Sequence, residues 1–197
     1  MTKNNKRKNQ RCLVLELTVQ IEEIISKTLG LILEINWRES ESLGYKSSAL
    51  GFNQKVRIIQ DIKGLDKEIV KKFDALMFIR NKFAHVKEVN SFETLDLVSN
   101  NATQIKRNLH NWYSKEGDNF ENEEEKNLNY FIRLCGDTQD YLTKISKEHA
   151  YKKGFALGQK EADQRIVDEL LVELREIDGG DVIIDKILAK LKEEFEK

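Results

Sequence analysis

No proline interrupts the 197 residues of this chain, where average usage would place on the order of ten. A chain that lacks this helix breaker, and whose apolar residues recur three and four apart, is directed toward helices. The expected fold class is all-α. Hydrophobic residues make up 40% of the chain and charged residues 34%, so a core forms only if each helix gathers its apolar residues on one stripe. That balance excludes a disordered chain, a collagen and a large β-sandwich. No apolar run approaches the roughly 18 residues that a membrane span needs. The opening residues carry Lys3, Lys6, Arg7, Lys8 and Arg11 with no apolar signal core behind them, and a cytoplasmic location is expected. Cys12 and Cys135 are isolated thiols without the spacing of a zinc site or a disulfide framework. With a net charge of −1, any nucleic-acid contact has to be a local patch.

Leu13, Leu17, Ile21, Ile24, Thr28, Leu31 and Ile35 step by three or four and predict a first helix of about six turns. The segment Arg38 to Gly44 loses the period and reads as a loop. Ser47 or Ser48 is placed to cap a second helix through Phe52, Val56, Ile59 and Ile62, with Gly64 ending it in the left-handed region. Asp66 is placed to cap a third, through Ile69, Phe73, Leu76 and Met77 to Ala84. Leu95, Val98, Ala102, Ile105, Leu109 and Trp112 predict a fourth. The expected division is a basic flexible tail over 1–10, a helical bundle over 11–113, an acidic linker over 114–125 and a helical, partly coiled-coil-like extension over 126–197. In the extension, Ala150, Gly154, Gly158 and Ala162 form a ridge of small residues suited to helix packing. Asp178-Gly-Gly-Asp181 reads as a turn before a last helix through Ile184, Ile187, Leu191 and Phe195. The aspartates at 178, 181 and 185 lack the spacing of a calcium loop, and no metal or cofactor is expected.

The segment richest in chemistry ends the third helix. Ala75 to Ile79 is apolar on every side, so this helix needs cover on two faces; a homodimer through Phe78 and Met77 is expected to supply part of it. Arg80 falls on an apolar stripe, and Asn81 and His85 lie one turn apart on another face with Phe78. A guanidinium offers a fixed fork of donors to phosphate oxygens. An imidazole takes or gives a proton near neutral pH, and an amide can orient it. Arg80, Asn81 and His85 are therefore candidate catalytic residues for phosphodiester cleavage, and Lys82 and Lys87, on either side of His85, are candidate RNA contacts. In RNA the 2′-hydroxyl supplies the nucleophile. On a regular helix Arg80 and His85 point about 140° apart, so one chain brings them together only if the helix ends or bends there. The alternative reading has Arg80 held by a buried acid or carbonyls and His85 closing the helix end.

The string Arg80-Asn-Lys-Phe-Ala-His85 resembles the signature of HEPN domains, an Arg, four residues and a His with a polar residue after the Arg. Ser42-Leu-Gly-Tyr-Lys-Ser-Ser-Ala-Leu-Gly-Phe-Asn-Gln-Lys-Val56, with Ile58-Ile59 and Gly64-Leu65, is similar to the mannitol-repressor branch of that superfamily. The resemblance covers roughly residues 11 to 113. It implies an all-α bundle that dimerises with its motif helices facing, and a metal-independent ribonuclease site built from Arg80 and His85, as in toxins and phage-defence proteins. Where toxins paired with nucleotidyltransferase antitoxins carry a Tyr two residues after the His, this chain has Lys87. The mannitol-repressor branch implies a regulatory rather than a catalytic role, and the second reading is a non-catalytic regulatory or scaffold protein in which the same helix face builds a dimer and the C-terminal helices engage a protein partner.

Overall fold

The computed structural model describes residues 3–175, with side chains for 10–62, 64–169 and Val172. These residues form α1 (Lys3–Leu33), α2 (Phe52–Lys63), α3 (Lys67–His85), α4 (Phe92–Val98), α5 (Asn101–Tyr113) and α6 (Glu123–Arg175), with no strand among them. The protein is all-α. None of these helices is long and apolar enough to cross a membrane. The expected turn at 178–181 and the helix after it lie outside the described residues.

Local chemistry sets the helix ends. The Asp66 carboxylate accepts from the amides of Glu68 and Ile69, both at 2.9 Å, and opens α3; such a cap contributes about 1 kcal/mol. Gly64 closes α2 at φ 59°, a conformation that costs glycine little. Before α2, however, the cap is Gly51 rather than Ser47 or Ser48. The Gln54 side chain accepts from the Gly51 amide at 2.9 Å, while Ser48 is drawn to Glu41 in the preceding loop. The fourth predicted helix is two, because Ser99 is extended (φ −158°) and breaks the run between α4 and α5.

In α1 the backbone is helical from Lys3, not from Arg11. Its buried residues include Val14, Thr18, Ile21, Ile25, Thr28 and Leu29; of the expected stripe Ile21 and Thr28 are buried, Leu13, Leu17 and Ile24 half-buried, and Leu31 and Ile35 exposed. Leu13 to Leu15 and Ile24-Ile25 are apolar at consecutive positions, so two stripes are legible there and packing on α2 and α3 selects one. Gly30 admits the returning chain: a Cβ there would stand 2.8 Å from Trp37 Cβ.

The chain divides into two compact units, Met1–Glu148 and His149–Lys197, each described here by itself. The acidic stretch after α5 is a loop but not the boundary between them. Phe131, Leu134, Cys135, Leu142 and Ile145 of α6 are buried in the first unit's core. There Phe92 bridges Phe83 (centroids 5.4 Å) and Phe131 (6.0 Å). Polar clasps reinforce this attachment. Asp137 accepts from Tyr113 Oη at 2.8 Å and from Lys72 Nζ at 2.7 Å. Burial, and then the hydrogen bond to Asp137, push the Tyr113 hydroxyl up. Lys72 is pulled down by burial, but its bonds to Asp137 and Glu68 outweigh this and raise it.

Arg133 holds Asp118 through both nitrogens, at 2.8 and 2.6 Å. That fork, with the Lys115 amide, lowers the Asp118 carboxyl to about 2. A depressed folded value means stability that is present above the unfolded value of about 4 and is lost as pH falls toward 2. Carboxyl NMR titration is expected to place Asp118 near 2, and Arg133→Gln to return it toward 4. A wild-type midpoint near 4 would show that the fork is not formed in solution.

Candidate active site at the end of helix α3

Helix α3 stops at His85, where Val86 turns extended (φ −104°, ψ 113°) and its amide bonds back to Lys82 O at 3.1 Å. This end resolves the 140° separation. His85 is the last residue of the helix, and its imidazole folds back so that Nε2 lies 3.3 Å from Arg80 Nη1. The same guanidinium nitrogen donates to Asn81 Oδ1 at 3.2 Å. A guanidinium has only donors, so Nε2 is the acceptor here and the tautomer that fits carries its proton on Nδ1. His85 is exposed, while Arg80, Asn81 and Lys82 are half-buried. Among the described residues no carboxylate pairs with Arg80. Of the two alternatives for Arg80, a buried acid is therefore not what holds it.

These groups line a cleft of about 580 Å³ together with Gly51, Phe52, Asn53, Gln54 and Val86. The N terminus of α2 thus meets the C-terminal end of α3. Because the cap is a glycine, no side chain caps the first α2 amides. Phe52 and Asn53 of that first turn are among the residues lining the cleft, and the α2 dipole adds partial positive charge. Lys82 Nζ sits 5.7 Å from the Phe78 ring centre. The structure brings Arg80, Asn81, Lys82 and His85 to one cleft. Lys87, exposed two residues past His85, is not among its lining residues.

Cover for the apolar ring of α3 comes largely from within the chain. Ala75, Leu76, Met77 and Ile79 are all buried in the protomer's own core, and Phe78 is partly buried against it. Met77 has no open face to offer a second copy, so a dimer across α3 would rest on Phe78.

Arg11 is the residue near this site that the sequence reading passed over. Nη1 donates to the carbonyls of Val86, Lys87 and Val89 at 3.2–3.3 Å, and Nη2 to Ala84 O at 3.3 Å. It satisfies carbonyls at the C-terminal end of α3, where a cation is also favoured by the dipole, and so fixes the turn that carries His85. In the sequence it stood as the last cation of a basic run, and no local signal marks a side chain whose acceptors lie more than seventy residues away.

A larger groove of about 1090 Å³ is lined by Gln10, Arg107, His110 and the acidic start of α6, among others. Size alone would favour it as a binding site, but most of its carboxylates are already engaged. Glu124 caps α4 through the amides of Phe92 (2.6 Å) and Glu93 (2.7 Å). Glu125 accepts from the Glu121 amide, Glu123 pairs with Lys126, and Asp96 pairs with Lys106. The α3 cleft, whose cation has no counter-charge, is the better candidate for chemistry. No three His, Cys, Asp or Glu side chains converge as a metal-binding group among the described residues.

No protein family, curated protein or solved structure matches this chain.

Proposed function

We propose that this protein is an endoribonuclease of the HEPN type that cleaves RNA through the 2′-hydroxyl, in a toxin or phage-defence role. The observation that carries the proposal is the contact between Arg80 Nη1 and His85 Nε2 in an open cleft, with no carboxylate on the guanidinium. A cation left unneutralised beside a proton-accepting ring suits a phosphodiester, which has negative oxygens for the one and a neighbouring hydroxyl proton for the other. When a phosphate takes the guanidinium's donors, the Nε2 lone pair is released to accept the 2′-hydroxyl proton. O2′ then attacks phosphorus to close the 2′,3′-cyclic phosphate, and the bond to the 5′-oxygen breaks as that oxygen takes a proton from solvent and leaves as a 5′-hydroxyl. Charge building on the non-bridging oxygens is met by Arg80, with Lys82 and the α2 amides beside it. Asn81 Oδ1 accepts from the same guanidinium nitrogen and helps to hold it in place. Lys87 is proposed to meet RNA outside the cleft.

The test is a mixed RNA pool incubated with the full chain and EDTA. The expected products end in a 2′,3′-cyclic phosphate or its opened form, and a DNA pool is left intact. Absence of RNA cleavage, with the natural trigger or partner supplied, would leave the regulatory scaffold as the better reading.

A dimer across α3 is proposed on Phe78, which is only partly covered in one chain. Phe78→Glu is expected to release monomers in sedimentation at unchanged helix content, because an unpaired carboxylate in an apolar contact costs several kcal/mol. A folded variant that sediments like the wild type would place self-association elsewhere.

A further inference from the structure

We infer that Arg11 is a positioning residue of the α3 cleft: from α1 it holds the backbone that sets the His85 imidazole, so that the ring keeps its place when Arg80 turns to a substrate. The inference rests on the reading of this cleft as the catalytic site. Two features of the free protein call for such a residue. The His85 ring is exposed, and its hydrogen bond is to Arg80 Nη1 at 3.3 Å. Once phosphate oxygens take the donors of Arg80, that tether is gone, and the imidazole is placed by its own backbone. That backbone, however, is the last residue of a helix, where fraying is ordinary. One residue more or less of helix turns the chain that follows by about 100°, and a displacement of about 1 Å can cost a hundredfold in rate.

Arg11 supplies the hold. The two protons of Nη1 are shared among the carbonyls of Val86, Lys87 and Val89 at 3.2–3.3 Å, and Nη2 donates to Ala84 O at 3.3 Å. These acceptors bracket His85. Ala84 O belongs to the peptide group that enters His85, and Val86 O to the one that leaves the extended residue after it; the peptide between them is tied by the Val86 amide to Lys82 O at 3.1 Å. The anchor itself is firm, because α1 packs on α3 and Val14, three residues past Arg11, is 0% exposed.

This role is separable from stability. The bond to Lys87 O is exposed and the other three are only partly buried, so water takes the place of the guanidinium when it is removed and no acceptor is left dry. Water does not tie the turn to α1. Arg80 keeps its contact with Asn81 Oδ1, so the grip on phosphate survives while the base beside it loosens. The loss therefore falls on the chemical step rather than on binding.

The test compares two variants of the full chain. Arg11→Met keeps the apolar stem and removes the donors, whereas Arg11→Lys keeps a cation that meets only part of the carbonyl set. On RNA, Arg11→Met is expected to lower kcat about tenfold to a hundredfold with KM changed by no more than about twofold. Arg11→Lys is expected to fall between it and the wild type, and both to keep wild-type helix content. A second readout needs no cleavage. Long-range proton–nitrogen NMR of the histidine rings, with His85 assigned by its absence from His85→Ala, reports which ring nitrogen carries the proton. In the wild type the neutral ring is expected to be protonated on Nδ1, because Nε2 accepts from Arg80. In Arg11→Met the signal is expected to move toward the Nε2–H form of an untethered imidazole. A folded Arg11→Met with wild-type kcat and an unmoved Nδ1–H ring would overturn the inference. So would a loss of kcat matched by a loss of helix content in both variants, which would make Arg11 a residue of stability alone. Should Arg11→Met not fold, Arg11→Lys decides by the same two readouts. If the wild type cleaves no RNA, the catalytic reading fails by itself, and the tautomer still decides whether Arg11 places His85.

Discussion

His85→Ala is expected to lose RNA cleavage by roughly a hundredfold or more, the usual range for removing a positioned general base, while folding as the wild type does. The side chain is exposed, and its hydrogen bond in the free protein is to Arg80 alone, so little native structure depends on it. Arg80→Ala is expected to lose roughly a hundredfold to a thousandfold through the transition-state charge it no longer meets. It too should stay folded, since no carboxylate is orphaned when the guanidinium goes. Arg80→Lys separates charge from shape: a lysine keeps the cation but cannot hold phosphate and imidazole at once with a planar fork, so rescue should be slight. Asn81→Ala should fall between wild type and these, because Asn81 touches only the guanidinium. Cleavage by all variants at the wild-type rate, with EDTA present, would trace the activity to a contaminant. Loss of cleavage together with loss of helix content in Arg80→Ala would instead assign Arg80 to the core.

Asp66 and Gly64 were legible as caps because their chemistry acts within three residues of where they sit. On α1 the buried stripe runs beside the expected one and shares Ile21 and Thr28 with it, because the helix is apolar at consecutive residues and only the neighbours on α2 and α3 decide between the stripes. At the site, the residue types and their spacing pointed to Arg80, Asn81 and His85. The condition for their meeting, that the helix end at His85, depended on more distant groups. One is Arg11, whose four carbonyl contacts reach from α1 to the turn after α3. Gly51, which caps α2 without a side chain, lies at the start of that helix on the opposite wall of the cleft, equally beyond the reach of periodicity. Periodicity reports one helix at a time and carries no record of which helix ends face each other.

Phe131→Ala is expected to destabilise the protein by about 3–5 kcal/mol, the cost of removing a fully buried aromatic ring and leaving its cavity. For a chain of this size that corresponds to a fall in Tm of roughly 10 °C. The reasoning turns on where the first unit ends. By composition the acidic stretch after Tyr113 looks like a linker, and α6 would then be an appendage whose loss leaves the bundle intact. Yet Phe131 is 0% exposed and packs against Phe92, which packs against Phe83 of α3, two residues before His85. The first half of α6 therefore contributes to the core that holds the motif helix, and Arg133 and Asp137 clasp it there. Phe155→Ala is the matched control on the same helix. Being 66% exposed, it is expected to change the unfolding of the first unit by no more than about 0.5 kcal/mol. Urea unfolding followed by Trp37 and Trp112 fluorescence, both within the first unit, measures the two variants on one scale. Equal and small effects would return 126–148 to the status of an extension. A large loss for Phe131→Ala alone would place the boundary beyond Glu148 and make the opening of α6 part of what shapes the cleft.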